Sequence, residues 1–228
     1  MEIVKKEIVE KVESFNYFGF LCYLLDCDEH VRTILLDRLL AFHDLEKTEI
    51  SNEEHFEDNR TVLYDLKTIE RDGYEEEFDF YINDIFEDLV LFLSLKTKKK
   101  SCTHEIEYKI QYNLCIVCDS KDEIFDRYIV KDSDLKKIVY LNRKNLQISD
   151  QNVLEFHMAV QLDCVDEVVI KDDFDHLMYL LKHNNPYDDN HPIYKEVVKI
   201  HEEYLKSEFY TQAFEYELER VRKMVKES

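Results

Sequence analysis

Glu105-Ile106-Glu107-Tyr108-Lys109-Ile110-Gln111-Tyr112 alternates polar and apolar side chains without an exception, the pattern of a strand with one face on a core and the other in water. This stretch decides the reading of the fold. Before it the apolar spacing is helical; from it onward short strand-like runs appear, followed by helices again.

Upstream, Val4, Ile8, Val12 and Phe15 keep helical spacing, as do Val31, Leu35, Leu39 and Phe42. Phe78, Ile82, Ile85, Leu89 and Phe92 advance in steps of four, three, four and three, which predicts a third amphipathic helix with one apolar stripe. Its opposite face carries Glu75, Glu76, Asp79, Asp84, Glu87 and Asp88, either a solvated face or a docking surface for a basic partner. Lys96 and Lys98 to Lys100, with Ser101, suit a helix C-terminus, where the macrodipole favours cations. The expected division is a helical domain over 1–98 and an α+β domain over 99–228, with a single domain as the alternative.

Downstream, strands are expected at 114–117, 126–130, 138–141, 146–148 and 167–170, with a turn at Asn142-Arg143-Lys144-Asn145. Helices are expected at about 150–162, capped by Ser149 or Asp150, and at about 173–183. Asn184 to Pro192 holds both prolines and marks a firm break. From Ile193 to Lys226 no breaker occurs, and Ile193, Val197, Ile200, Tyr204, Val221 and Met224 predict one helix of up to about 50 Å. The fold class is therefore α+β and predominantly α-helical, with an N-terminal helical part, a small central, mainly antiparallel sheet and a long C-terminal helix.

The 228 residues suffice for a real core, and an apolar fraction of 45% argues for a folded chain despite 36% charged residues. A formal charge of -21 repels phosphates and anionic headgroups, so direct nucleic-acid or membrane binding is disfavoured. The same field draws basic proteins or nucleoprotein particles as partners. The charged N-terminus has no apolar signal region and no run is long enough to span a bilayer, so an intracellular, cytoplasmic protein is expected and its six cysteines are read as thiols or metal ligands. With only Gly19 and Gly73, no glycine-rich phosphate loop can form. Gly, Pro and Ala are scarce while Lys, Asn, Ile and Tyr abound, a bias that follows from an AT-rich genome as much as from structure.

Three constellations could carry chemistry. Cys102 and His104 followed by Cys115 and Cys118 could hold a structural zinc, since thiolate and imidazole are its preferred ligands. In spacing this resembles a small zinc ribbon, but the first pair is one residue short and neither knuckle is followed by glycine. The four can share an ion only if the chain folds back near Lys109-Ile110; one unbroken strand over 105–114 would put the pairs more than about 30 Å apart. An acid-x-Lys tripeptide on a strand suits metal-dependent phosphodiester cleavage, and Asp65-Leu66-Lys67, Glu107-Tyr108-Lys109, Asp119-Ser120-Lys121 and Asp134-Leu135-Lys136 all fit it. Arg38 and His43 have the spacing of a class of helical ribonucleases, although Leu39 departs from their polar position. Cys22 and Cys27 lie among apolar residues and read as packing thiols. No catalytic set is complete, so the leading expectation is a non-catalytic acidic interaction protein: an inhibitor, adaptor or complex subunit. A metal-dependent phosphodiesterase and a zinc-stabilised, nucleic-acid-associated module are the alternatives.

Overall fold

Apolar residues at positions 31, 35, 36 and 39 wind one stripe around the segment that follows Asp28, and a computed structural model places the helix there. The structure describes residues 2–40, 44–55, 61–83, 89–98, 101–103, 106–117, 129–130, 138–140, 153–162, 165 and 169–227. Three helices open the chain: α1 (Glu2–Val12), α2 (Phe18–Cys27) and α3 (Glu29–Leu39). Asp28 joins the last two. It ends α2, and its carboxylate accepts from the Val31 amide at 2.9 Å, capping α3.

Strands follow: β1 (Leu45–His55), β2 (Thr61–Glu70), β3 (Glu75–Asn83), β4 (Leu89–Thr97), β5 (Ser101–Thr103), β6 (Ile106–Val117), β7 (Ile129–Val130), β8 (Ile138–Tyr140) and β9 (Val153–Gln161). They form one sheet in the order β1-β2-β3-β4-β6-β9-β8-β7, with β5 paired to β6. Neighbours run antiparallel except the parallel pair β6–β9. The helices α4 (Asp173–His183), α5 (Pro192–Tyr204) and α6 (Glu208–Glu227) close the chain.

The architecture is the expected α+β arrangement of N-terminal helices, a central mainly antiparallel sheet and a long C-terminal helix. Several segments differ from their expected form. The stripe over residues 78–92 is not a helix: β3 and β4 occupy its two ends, and Phe78, Phe80 and Ile82 turn to the core at a period of two. Pairing with β2 and β4 selects strand here, and Asp72-Gly73 makes the reversal possible, because Gly73 takes a φ of 86° that lets a tight turn fold β3 back onto β2. Residues 153–161 are strand rather than helix, and the expected strand at 167–170 is absent at Val169 and Ile170. The turn at 142–145 and the run 146–148 lie outside the described residues.

The boundary expected at 98/99 falls inside the sheet, since β4 pairs with β6 from Leu89↔Val117 to Lys96↔Gln111. One core also spans it, from Phe20 to Tyr204. The expected 1–98 helical domain thus holds four strands. The last expected helix is two, because the chain turns at Leu205–Ser207, where Ser207 Oγ accepts from the Tyr210 amide at 3.3 Å and starts α6.

One sheet face is apolar: Tyr64 and Leu66 from β2, Phe78, Phe80 and Ile82, Leu91, Leu93 and Leu95 from β4, and Tyr112, Leu114 and Ile116 from β6 are buried. Helices α2 and α3 lie on it, and α4, α5 and α6 pack around them. Each fully buried Leu or Phe stabilises by about 1.5–3 kcal/mol, so this layer contact dominates the fold. Arg32 ties the layers at the β1 edge. Its guanidinium, 4% exposed, donates to Thr48 O at 3.1 Å, Thr48 Oγ1 at 3.0 Å, Leu25 O at 2.5 Å and Asp26 O at 3.3 Å. Leu25 and Asp26 belong to the last turn of α2, whose carbonyls have no partner within the helix.

Candidate functional site

The acidic residues expected on one helix face are dealt out by β3 to two sheet faces. Glu75 and Asp79 lie on the outer, polar face, while Glu76 shares the parity of Phe78 and faces the helical side. Asp84, Glu87 and Asp88 lie outside the described residues. On the outer face the carboxylates meet cations. Lys67 Nζ lies 2.7 Å from Glu75 Oε2; Lys98 pairs closely with Asp65 and stands 4.0 Å from Asp79. The hydrogen bond to Asp65 raises the Lys98 pKa. The centre of this face is therefore a ladder of matched charges rather than a negative patch.

The acidic excess sits at its end, around the β2–β3 hairpin. Asp44, Glu46, Asp72, Glu75 and Glu77 are all exposed there, beside Tyr74, which is 55% exposed. The tip is held firmly: the Tyr74 amide donates to Asp72 Oδ1 at 2.9 Å, the Glu70 amide to Tyr74 O at 2.9 Å, and the Arg71 amide to Asp44 O at 2.9 Å. Among the described residues two of these acids are ion-paired, Asp44 with Arg71 Nε at 3.3 Å and Glu75 with Lys67 Nζ at 2.7 Å, so the excess rests on Glu46, Asp72 and Glu77. Of these residues the helical reading singled out only Glu75. The signal that locates the rest is Asp72-Gly73 between two alternating runs, a hairpin signature.

The zinc candidates are drawn apart. β6 runs unbroken through Lys109 and Ile110, so the chain does not fold back there. Cys102 on β5 stands opposite Glu107, eight positions along β6 from Cys115, which is about 26 Å. His104 and Cys118 lie outside the described residues. Cys115 is buried, and desolvation pushes its thiol pKa up to about 12, which disfavours the thiolate a metal requires. Among the described residues no group of three or more His, Cys, Asp or Glu is placed to hold a metal ion.

Of the acid-x-Lys tripeptides, Asp65-Leu66-Lys67 falls on β2, with both charged side chains on the outer face and Asp79 directly opposite Asp65. The Lys98 ammonium lies against both carboxylates, where a divalent ion would sit. Glu107 and Lys109 belong to β6, and the tripeptides at 119–121 and 134–136 lie outside the described residues. Arg38 pairs with Asp172 and covers the Phe174 ring at 5.2 Å, while His43 lies outside the described residues.

A second polar cluster, not anticipated, gathers His30, Asp173, His176, His191 and Glu196 where α3, α4 and α5 meet. His176 and His191 stack with centroids 3.6 Å apart and planes 14° from parallel. Beside them lies a depression lined by His176, Leu180, Pro186, Tyr187 and Tyr194, too shallow to enclose water. Histidines at 30, 176 and 191 have no shared spacing, so no sequence pattern groups them. Among the described residues no helix is long and apolar enough to cross a membrane. Comparison with protein-family models, with curated proteins and with solved structures finds no match to this chain.

Proposed function

We propose that this chain is a non-catalytic interaction protein, an inhibitor, adaptor or complex subunit, that presents the acidic β2–β3 hairpin end to a basic protein or nucleoprotein surface. The observation that carries the reading is the placement of charge. In a chain of formal charge -21, Lys67 and Lys98 meet Glu75 and Asp65 on the outer sheet face, whereas exposed Glu46, Asp72 and Glu77 gather at the ordered hairpin end, with Tyr74 standing out among them. Aromatic side chains amid polar ones are the usual anchors of protein interfaces, and a rigid tip loses little entropy when it docks.

The test is capture of partners from lysate on the immobilised full chain at low and high salt. Exposed charges act over roughly 8 Å at physiological ionic strength and about 3 Å at 1 M. A basic partner held at low salt and released at high salt is expected, and lost when Asp72, Glu75 and Glu77 are all changed to Lys. The same reversal at exposed Glu202 and Glu203 on α5 is the control. Retention by the hairpin variant at wild-type level would reject the docking site, and retention in high salt would reject charge-led binding.

One observation favours the enzymatic alternative. Asp65, Lys67 and Asp79 share the outer face with two carboxylates in register, the residue types of a two-acid, one-lysine phosphodiesterase. Cleavage of labelled DNA or RNA in magnesium or manganese, abolished by Asp65→Ala and Asp79→Ala, would establish it in place of the first reading.

A further inference from the structure

The helical corner holds three imidazoles and two carboxylates contributed by three helices and the turn before α5. From α3, His30 Nδ1 lies 2.7 Å from Glu196 Oε2 of α5. A carboxylate only accepts, so the proton of that bond resides on Nδ1. The other nitrogen, Nε2, points at Asp173 Oδ2 of α4 from 4.0 Å. When Nε2 is bare, a lone pair faces a carboxylate; when it carries a proton, a cation does. On its far side Asp173 Oδ1 faces His191 Nε2 at 3.6 Å, and His191 is stacked on His176 of α4. The remaining charged groups nearby are Asp28, the cap of α3, Glu29 in its first turn, Asp172, the cap of α4, held by Arg38, Asp175 of α4 and Asp188 in the loop.

The geometry points to a proton-operated clamp: a proton taken up on Nε2 of His30 ties α3 at once to Glu196 on α5 and to Asp173 on α4, and its release leaves only the bond to α5. The clamp acts on the helix whose Arg32, two residues along, carries the β1 edge. Proton uptake therefore strengthens the packing of α3 against α4 and α5.

The two kinds of histidine respond with opposite sign. The hydrogen bond to Glu196 raises the His30 pKa against the opposing effect of burial, and Glu196 and Asp173 add to the rise. Its stabilising contribution is fully present below the ordinary value of 6.5 and fades as pH rises through the higher folded value. His176 is lowered, by burial first and then by His191. Its neutral form stabilises above the ordinary value, and that contribution is lost as pH falls through the folded one.

The experiment follows the imidazole Cε1–H resonances of the full chain by NMR through a pH titration, together with melting of wild type and His30→Gln at about pH 5.5 and about pH 8. His30 is expected to titrate above the ordinary histidine value, and Asp173→Asn, which leaves the Glu196 bond in place, to lower that titration. Wild type is expected to melt above His30→Gln by more in acid than in base, where only the bond to Glu196 is at stake. His176→Gln is the internal control, since its loss helps in acid. An equal melting gap at both pH values, or a His30 titration unmoved by Asp173→Asn, would overturn the clamp.

Discussion

Replacing Arg32 by Met tests what holds the two layers together. The side chain is 4% exposed, and its donors reach two carbonyls at the end of α2 together with the carbonyl and hydroxyl of Thr48 on β1. Met fills similar volume but donates nothing. Leu25 O, Asp26 O and Thr48 O would lose the cation they face, and each buried acceptor left alone costs about 1–3 kcal/mol. Against this stands the relief of desolvation, the same burial that lowers the Arg32 pKa. The acceptors are neutral, so no bare charge is left behind, and net of that relief the loss should be about 2–4 kcal/mol. At roughly 2–4 °C per kcal/mol for a chain of this length, the melting point should fall by about 4–16 °C by circular dichroism or calorimetry at neutral pH. Arg32→Lys should lie between, because one ammonium cannot serve both α2 and β1. A Met variant within about 1 kcal/mol of wild type would refute the reasoning, showing that apolar packing alone joins α3 to the sheet edge.

Three further outcomes follow from local geometry. Asp28→Ala removes the α3 cap at 2.9 Å from Val31 N and should cost about 0.5–2 kcal/mol by denaturant titration, with Asp28→Asn costing less. Asn184 ends α4 at φ 53° and accepts from the Phe15 amide at 2.7 Å, so Asn184→Gly keeps the turn and loses the tie, while Asn184→Ala loses both; Ala should be the more destabilised by about 1 kcal/mol. Iodoacetamide under native conditions should modify exposed Cys27 before buried Cys22 and Cys115 when peptides are mapped by mass; early loss of the Cys115 thiol would mean that β6 opens.

Legibility in the sequence tracked how local each signal was. The helix over 173–183 and the break after it were readable because the apolar stripe, the Asn184 end and Pro192 at the first turn of α5 all lie within a few residues of one another. The strand at Ile106–Tyr112 was readable from its clean alternation. Residues 78–92 were not, because Phe78 and Ile82 satisfy a period of two and a period near 3.6 equally well, and the choice rests on partners that are distant in sequence. Leu66 pairs with Phe78, and Phe80 with Leu95; these contacts select strand over helix. The stretch at 153–161 has the same cause, since β9 is fixed by parallel pairing with β6 more than forty residues earlier.

By itself the amino-acid order determined the α+β class, the negative charge, the flanking helices and the punctuation at 184–192, all consequences of composition or of spacing within a turn or two. Only the tertiary structure decided which carboxylates are neutralised and which are left in excess, that Cys102 and Cys115 stand apart, and that His30, Asp173, His176, His191 and Glu196 gather at one corner. Those facts depend on strand register and helix packing, which bring together residues up to 166 positions apart, and electrostatic energy follows distance in space rather than along the chain.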